Sequence, residues 1–244
     1  MSTQDRLDPP GAAIDGPQPA KTPKRDVVIS EVTSEDLEEI TKVFWDAFAP
    51  IFPFDKVEPL DRRPSDEVRL ARTIRRKAFF TQAPGSVTFK AVDRQTGEVL
   101  GFASWTVPDY TQKTHPHLKN DSLIKTEEDR DAWEGVDVPL WNSMWQSWVD
   151  YKAEILQGRK HWFLAPLCVK QAAQGQGVGK ALINYIITKA DAAEPPEIIY
   201  LDASKQGQLL YKSVGFEYIG DMSRAFPGMV RWEKGRQTGN GLRP

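Results

Sequence analysis

The segment Gln174-Gly175-Gln176-Gly177-Val178-Gly179-Lys180 constrains the fold of this chain more than any other. The run Trp162 to Val169 before it reads as a strand. Directly after it, Val178, Ala181, Leu182, Tyr185, Ile186 and Lys189 recur at helical spacing. A strand therefore passes into a helix through three alternating glycines. Glycine adopts backbone conformations closed to residues with a Cβ and lets a ligand come close to the main chain. The helix start offers free N–H groups and the positive end of its dipole. Together these make a site for a phosphate or pyrophosphate. A tight turn using glycine for geometry alone is the other reading, and the amphipathic helix that follows at once favours the anion.

Around this turn the chain alternates between two periods. Residues 1–25 carry Pro9, Pro10, Pro17, Pro19 and Pro23 with few large apolar residues, which predicts a disordered tail. Val27-Val28-Ile29 reads as a first strand. Thr33 or Ser34 caps a helix whose Leu37, Ile40, Phe44, Ala47 and Phe48 form one face, and Pro50 ends it. A second helix is expected over Asp66 to Phe80, with Arg and Lys on its outer face. Ser86–Val92 and Val99–Val107 flank the turn Arg94-Gln95-Thr96-Gly97 as a hairpin. Residues 108 to about 135 read as a polar, irregular loop, and a helix follows over about 139–157. Its stripe of Trp141, Met144, Trp145, Trp148, Tyr151 and Ile155 serves either as core or as a wall of a substrate pocket, with core favoured. Ile198–Leu201 is a short strand, Gln206–Val214 a short helix stopped by Gly215, and Phe216–Ile219 and Met229–Trp232 two closing strands. The expected class is α/β with a mixed sheet. The expected organisation is a tail over 1–25, one domain over 26–236 with a loop-plus-helix insert at 108–160, and a tail over 237–244.

Composition excludes several functions. Lys plus Arg is 32 and Asp plus Glu 34, a formal net charge of −2, so no global field attracts nucleic acid or an anionic membrane. No apolar run reaches the roughly 20 residues that span a bilayer. The N-terminus lacks the hydrophobic core of a secretory signal, and Asp5, Asp8 and Asp15 disfavour a transit peptide. One cysteine, Cys168, permits no intrachain disulfide and no Cys-based zinc cluster, and three histidines make a His-rich metal site improbable. A reduced, cytoplasmic protein without a metal is the expectation.

Three glycine loops bind phosphates, and the residues discriminate among them. A Walker loop needs a glycine where Gln174 stands and a hydroxyl where Ala181 stands. A dinucleotide fingerprint would use Gly175 and Gly177 but meets Lys180 at its third glycine. Asp202 sits at a suitable distance for a ribose contact, yet the loop falls late in the chain and Pro166 interrupts its strand. A nicotinamide-dependent enzyme stays as a minor alternative. Gln174, Gly177 and Gly179 match the Gln/Arg-x-x-Gly-x-Gly/Ala loop, and the chain resembles the GNAT acetyltransferases there. Leu167-Cys168-Val169 resembles that family's apolar strand end. Leu210-Tyr211-Lys212-Ser213-Val214-Gly215-Phe216 resembles its Leu-Tyr-x-x-x-Gly-Phe segment. The resemblance covers about residues 160–220, and it looks most like the fungal small-molecule branch. Ser204, Gly207 and Gln171 depart from the residues common there, namely Asn, Ala and Pro.

The resemblance implies the GNAT fold: a central mixed, mostly antiparallel sheet of about six to seven strands flanked by helices, here with a Trp-rich helical insert. It implies acetyl-CoA as cosubstrate and transfer of its acetyl group to a primary amine, expected to be a small molecule. The cofactor would be held by Leu167, Cys168, Val169, Gln174, Gly175, Gln176, Gly177, Val178, Gly179, Lys180 and Ser204. Tyr211 would be the acid that protonates the leaving thiolate, a role suited to a phenol with pKa about 10. Cys168 in an apolar strand is not expected to be a nucleophile. The base stays open among Asp46, Asp109, Asp150, Glu154, His161 and an ordered water. The acceptor is expected between the first helix, the loop with Phe52 and Phe54, and the Trp-rich insert, with Trp105 contributing. A non-catalytic acyl-CoA-binding protein is the alternative from a different class. The chain is expected to act as a monomer or homodimer, with no nucleic-acid or membrane partner.

Overall fold

A computed structural model describes residues 23–48, 51, 54–110 and 115–235. Most of the expected N-terminal tail, all of the C-terminal one, and Pro50 and Phe52 lie outside these residues. The described elements are β1 (Val27–Glu31), α1 (Leu37–Phe48), α2 (Phe54–Val57), α3 (Asp66–Gln82), β2 (Ser86–Asp93), β3 (Val99–Thr106), α4 (Glu127–Asp131), α5 (Val138–Leu156), β4 (His161–Val169), α6 (Val178–Ala192), β5 (Ile198–Asp202), α7 (Gln208–Ser213), β6 (Glu217–Tyr218) and β7 (Gly228–Arg231). The sheet has seven strands in the order β1-β2-β3-β4-β5-β7-β6. Every neighbouring pair is antiparallel except β4–β5. With a single parallel pair, it is not the doubly wound sheet of a dinucleotide-binding domain.

Period decides the layers. On α6, Val178, Leu182, Ile183, Ile186 and Ala190 are buried against Trp105, Leu164, Ile199 and Leu201. Each large apolar side chain buried this way contributes about 1.5–3 kcal/mol. The opposite sheet face carries two clusters. Ile40 and Val43 of α1 meet Phe102 and Cys168, while Leu156 of α5 meets Phe163, Tyr200 and Val230. A third cluster holds Val57, Trp133, Trp141 and Trp145, so the tryptophan stripe is core, as favoured above. Trp105 is 1% exposed and faces α6, so it cannot line an acceptor pocket on the other side.

Two expectations are corrected. The irregular region contains α4, started by a capping box between Thr126 and Asp129. The basic residues of α3 do not all face outward: Arg76 and Lys77 are 3% and 4% exposed, while Arg75 stays exposed. Arg69 and Arg76 both bind Glu58, Arg72 binds Asp131 and Glu134, and Arg75 binds Asp129. A cationic helix face thus turns inward because acids after α2 and in the insert meet it. α5 begins at Asp137, whose carboxylate accepts from Leu140 N at 3.0 Å. Asp137→Ala should cost about 1 kcal/mol, read as a lower urea midpoint with unchanged slope.

Candidate functional site

β4 is paired with β3 as far as Val169↔Gly101, but its pairing with β5 ends at Leu164↔Leu201. From Ala165 onward the two parallel strands diverge, and Pro166, which lacks an N–H, stands just past the parting point. The fork opens into a cleft of about 670 Å3. Leu167, Val169, Gln174, Gly175, Gly177, Val178, Gly179, Lys180, Ser204 and Tyr211 all line it, together with Ala47 and Phe48 at the end of α1. Two expected residues do not present side chains there. The Cys168 thiol lies on the opposite face with Ile40 and Phe102, leaving only its main chain near the cleft. The Gln176 amide group donates to Ala172 O at 2.6 Å and its oxygen accepts from Arg25 Nε at 2.7 Å, which fixes the loop.

The loop backbone leaves a run of its amides unused. Gly175 and Gly177 have φ of 73° and 87°, the left-handed region that favours glycine. Gln174 N donates to Gln171 O and Ala181 N to Gly177 O. Among the described residues, the amides from Gly175 to Lys180 have no acceptor, so the helix start presents an unsatisfied row of donors. Gln174 Nε2 donates to Val169 O at 3.1 Å and ties the loop back to β4. A Cβ on Gly179 would lie 3.0 Å from Leu210 Cδ2, so glycine lets α7 close against α6.

Residues 146–218 match the family model described as acetyltransferase (GNAT) domain. Over that segment the chain is similar to the GNAT acetyltransferases. Among curated proteins, none matches this sequence significantly. Of the solved structures, one described as histone acetyltransferase HPA2 and related acetyltransferase from Corynebacterium glutamicum is 22% identical. It covers 87% of this chain and 98% of its own, with a TM-score of 0.51. Mosquito arylalkylamine N-acetyltransferase like 5b is 13% identical, covers 84% and 99%, and has a TM-score of 0.50. At these identities the likeness is one of fold.

Tyr211 is 7% exposed, and burial raises its hydroxyl pKa above the ordinary phenol value, so it holds a proton at neutral pH. Gly207 makes room for this ring: a Cβ there would stand 2.7 Å from Tyr211 Cε2. Ser204 Oγ accepts from Gly207 N at 3.2 Å and starts α7. Burial also raises the Cys168 thiol, which makes it a poor nucleophile.

None of the five side chains considered as a base lines the cleft. Asp46 accepts from Gln171 N at 2.6 Å and latches α1 to the loop. Asp109 pairs with Lys160 at 2.5 Å on the surface. Asp150 accepts from Gln146 at 2.8 Å, and Glu154 is exposed. His161 is buried, its pKa pushed down to about 4 by burial, with Nδ1 at 2.7 Å from Arg159 O. A different acid stands at the fork. Asp202 is the residue after Leu201, the last of β5 to pair with β4. The sequence offered it only as a ribose contact. Its burial depends on the packing of α5 and β7 on β5, which no local pattern around residue 202 announces.

Proposed function

We propose that this chain transfers the acetyl group of acetyl-CoA to the nitrogen of a primary amine, carried by a small molecule. The supporting observation is the row of free amides at the start of α6, joined by one cleft to Tyr211 beside the diverging end of β4. Acetyl-CoA supplies the acetyl group as a thioester. The amides of residues 175–180 and the dipole of α6 would hold its pyrophosphate. Leu167 and Val169 offer an apolar wall and an unpaired strand edge to the pantetheine arm. An amide of that edge, aimed at the thioester oxygen, would stabilise the developing oxyanion. Tyr211 would give its proton to the departing sulfur.

Gly177→Glu tests the cradle. A carboxylate at this position repels the pyrophosphate and forces a side chain into positive φ. Loss of charge-assisted hydrogen bonds worth about 2–3 kcal/mol weakens acetyl-CoA binding roughly 30- to 150-fold. Calorimetry reads this directly, and unchanged affinity would remove the loop from the site. A thermal-shift comparison of acetyl-CoA, NADPH and ATP should raise the melting temperature with acetyl-CoA alone. Binding without thiol release across a panel of amines would instead favour a non-catalytic acyl-CoA-binding protein.

A further inference from the structure

The cleft is walled by α6, α7 and the end of α1, and behind the same fork, on the α5 face, sits a cluster of buried and half-buried polar groups that do not line it. Tyr200 OH donates to Asp202 Oδ1 at 2.8 Å. Gly228 stands opposite Asp202 on β7, where a Cβ would come within 2.9 Å of that hydroxyl. The ring of His161 lies 5.9 Å from that of Tyr200. Lys152 of α5, 1% exposed, lies over Phe163 at 4.1 Å, and Arg224 over Tyr151 at 3.8 Å. Among the described residues, Asp202 Oδ2, His161 Nε2 and Arg224 Nε are buried without a hydrogen-bond partner. Native proteins rarely leave such atoms unmatched, and Asp202 Oδ2, just past the parting point of β4 and β5, is an acceptor that still lacks a donor.

We propose that Asp202 receives the acceptor amine at the β4–β5 fork and takes its proton, with the polar cluster behind it forming the acceptor end of the site. The assignment rests on the acetyl-transfer reading above. The amine approaches from the α5 face, opposite the cofactor. Its nitrogen bonds to the acetyl carbonyl carbon and its proton passes to Asp202 Oδ2. The C–S bond breaks, and the thiolate takes the Tyr211 proton. Asp202 is fitted to this work. Burial raises its pKa to about 6, while the Tyr200 hydrogen bond and the charges of Lys152 and Arg224 act the other way. It is therefore ionised at neutral pH, yet a far stronger base than an exposed aspartate. The other titratable groups facing it do not compete. His161 is held neutral with its pKa near 4, and Lys152, at about 8, bears a proton at neutral pH.

The test is steady-state thiol release from acetyl-CoA with 2-phenylethylamine, putrescine and glucosamine, for wild type, Asp202→Asn and Tyr200→Phe. Asp202→Asn, nearly isosteric, should lower kcat about 100-fold and leave acetyl-CoA affinity unchanged. The kcat/KM profile of wild type should rise through about pH 6 and flatten, a limb that the Asn variant lacks. Tyr200→Phe removes a bond that favours the carboxylate, so that limb should move to higher pH; a merely structural role for the pair would not move it. Wild-type kcat and an intact limb in Asp202→Asn would overturn the assignment while leaving acetyl transfer standing. Wild type that binds acetyl-CoA but acetylates none of the amines would defeat the transfer reading, and the assignment with it. Should the Asn variant melt far below wild type, Tyr200→Phe decides: a limb that stays in place overturns the proposal.

Discussion

Tyr211→Phe should lower kcat by roughly 100- to 10 000-fold and leave acetyl-CoA affinity within about twofold. The hydroxyl is the only atom lost, and the ring keeps its place over Gly207 and against Phe216 at 5.8 Å. A thiolate leaving a thioester needs a proton, and an aromatic hydroxyl whose pKa burial has raised still carries one at any pH where the protein would work. The loss should therefore fall on the chemical step. Single-turnover kinetics with calorimetric acetyl-CoA titration separates the two quantities. Equal loss of affinity would make Tyr211 a packing residue, and an unchanged rate would hand the proton to water.

Glu58→Ala should cost roughly 3–5 kcal/mol of stability, the largest single loss expected in the molecule. Glu58 side-chain exposure is 12%, and it alone holds both Arg69, at 2.8 Å, and Arg76, whose guanidinium is 4% exposed. Arg76 also donates to Ala132 O at 2.5 Å, so it cannot swing out to water without breaking the contact between α3 and the insert. Burial already pulls the Arg76 pKa down, with Glu58 the main opposing influence. Removing the acid leaves a buried cation unmatched. For a chain of this size the melting temperature should fall by roughly 6–20 °C. A drop under about 2 °C would mean that water reaches Arg76 and that the pair is worth no more than a surface ion pair.

These expectations draw unequally on sequence and structure. The strand-to-helix turn was legible because its determinants are local. Alternating glycines, an apolar strand and a 3.6-residue repeat lie within a few tens of residues of one another. The hairpin over 86–107 and the helix of tryptophans were legible for the same reason, since period alone names the element. Short elements were not: α2 and α4 are one turn each, too brief for a repeat to register. The direction in which α3 turns its charge was invisible too, because Arg and Lys read as solvent-facing until Glu58, Asp129 and Asp131 are brought against them.

By itself the sequence determined the longer elements and the glycine-rich strand-to-helix turn at 174–180, since each depends on neighbours in the chain. Only the tertiary structure decided where β4 leaves β5 and that Asp202 ends up half-buried at the parting point with Tyr200, Lys152 and Arg224 acting on it. The physical reason is that the charges acting on Asp202 come from Arg224 and Lys152, 22 and 50 positions away, and no local pattern encodes the company a carboxylate will keep.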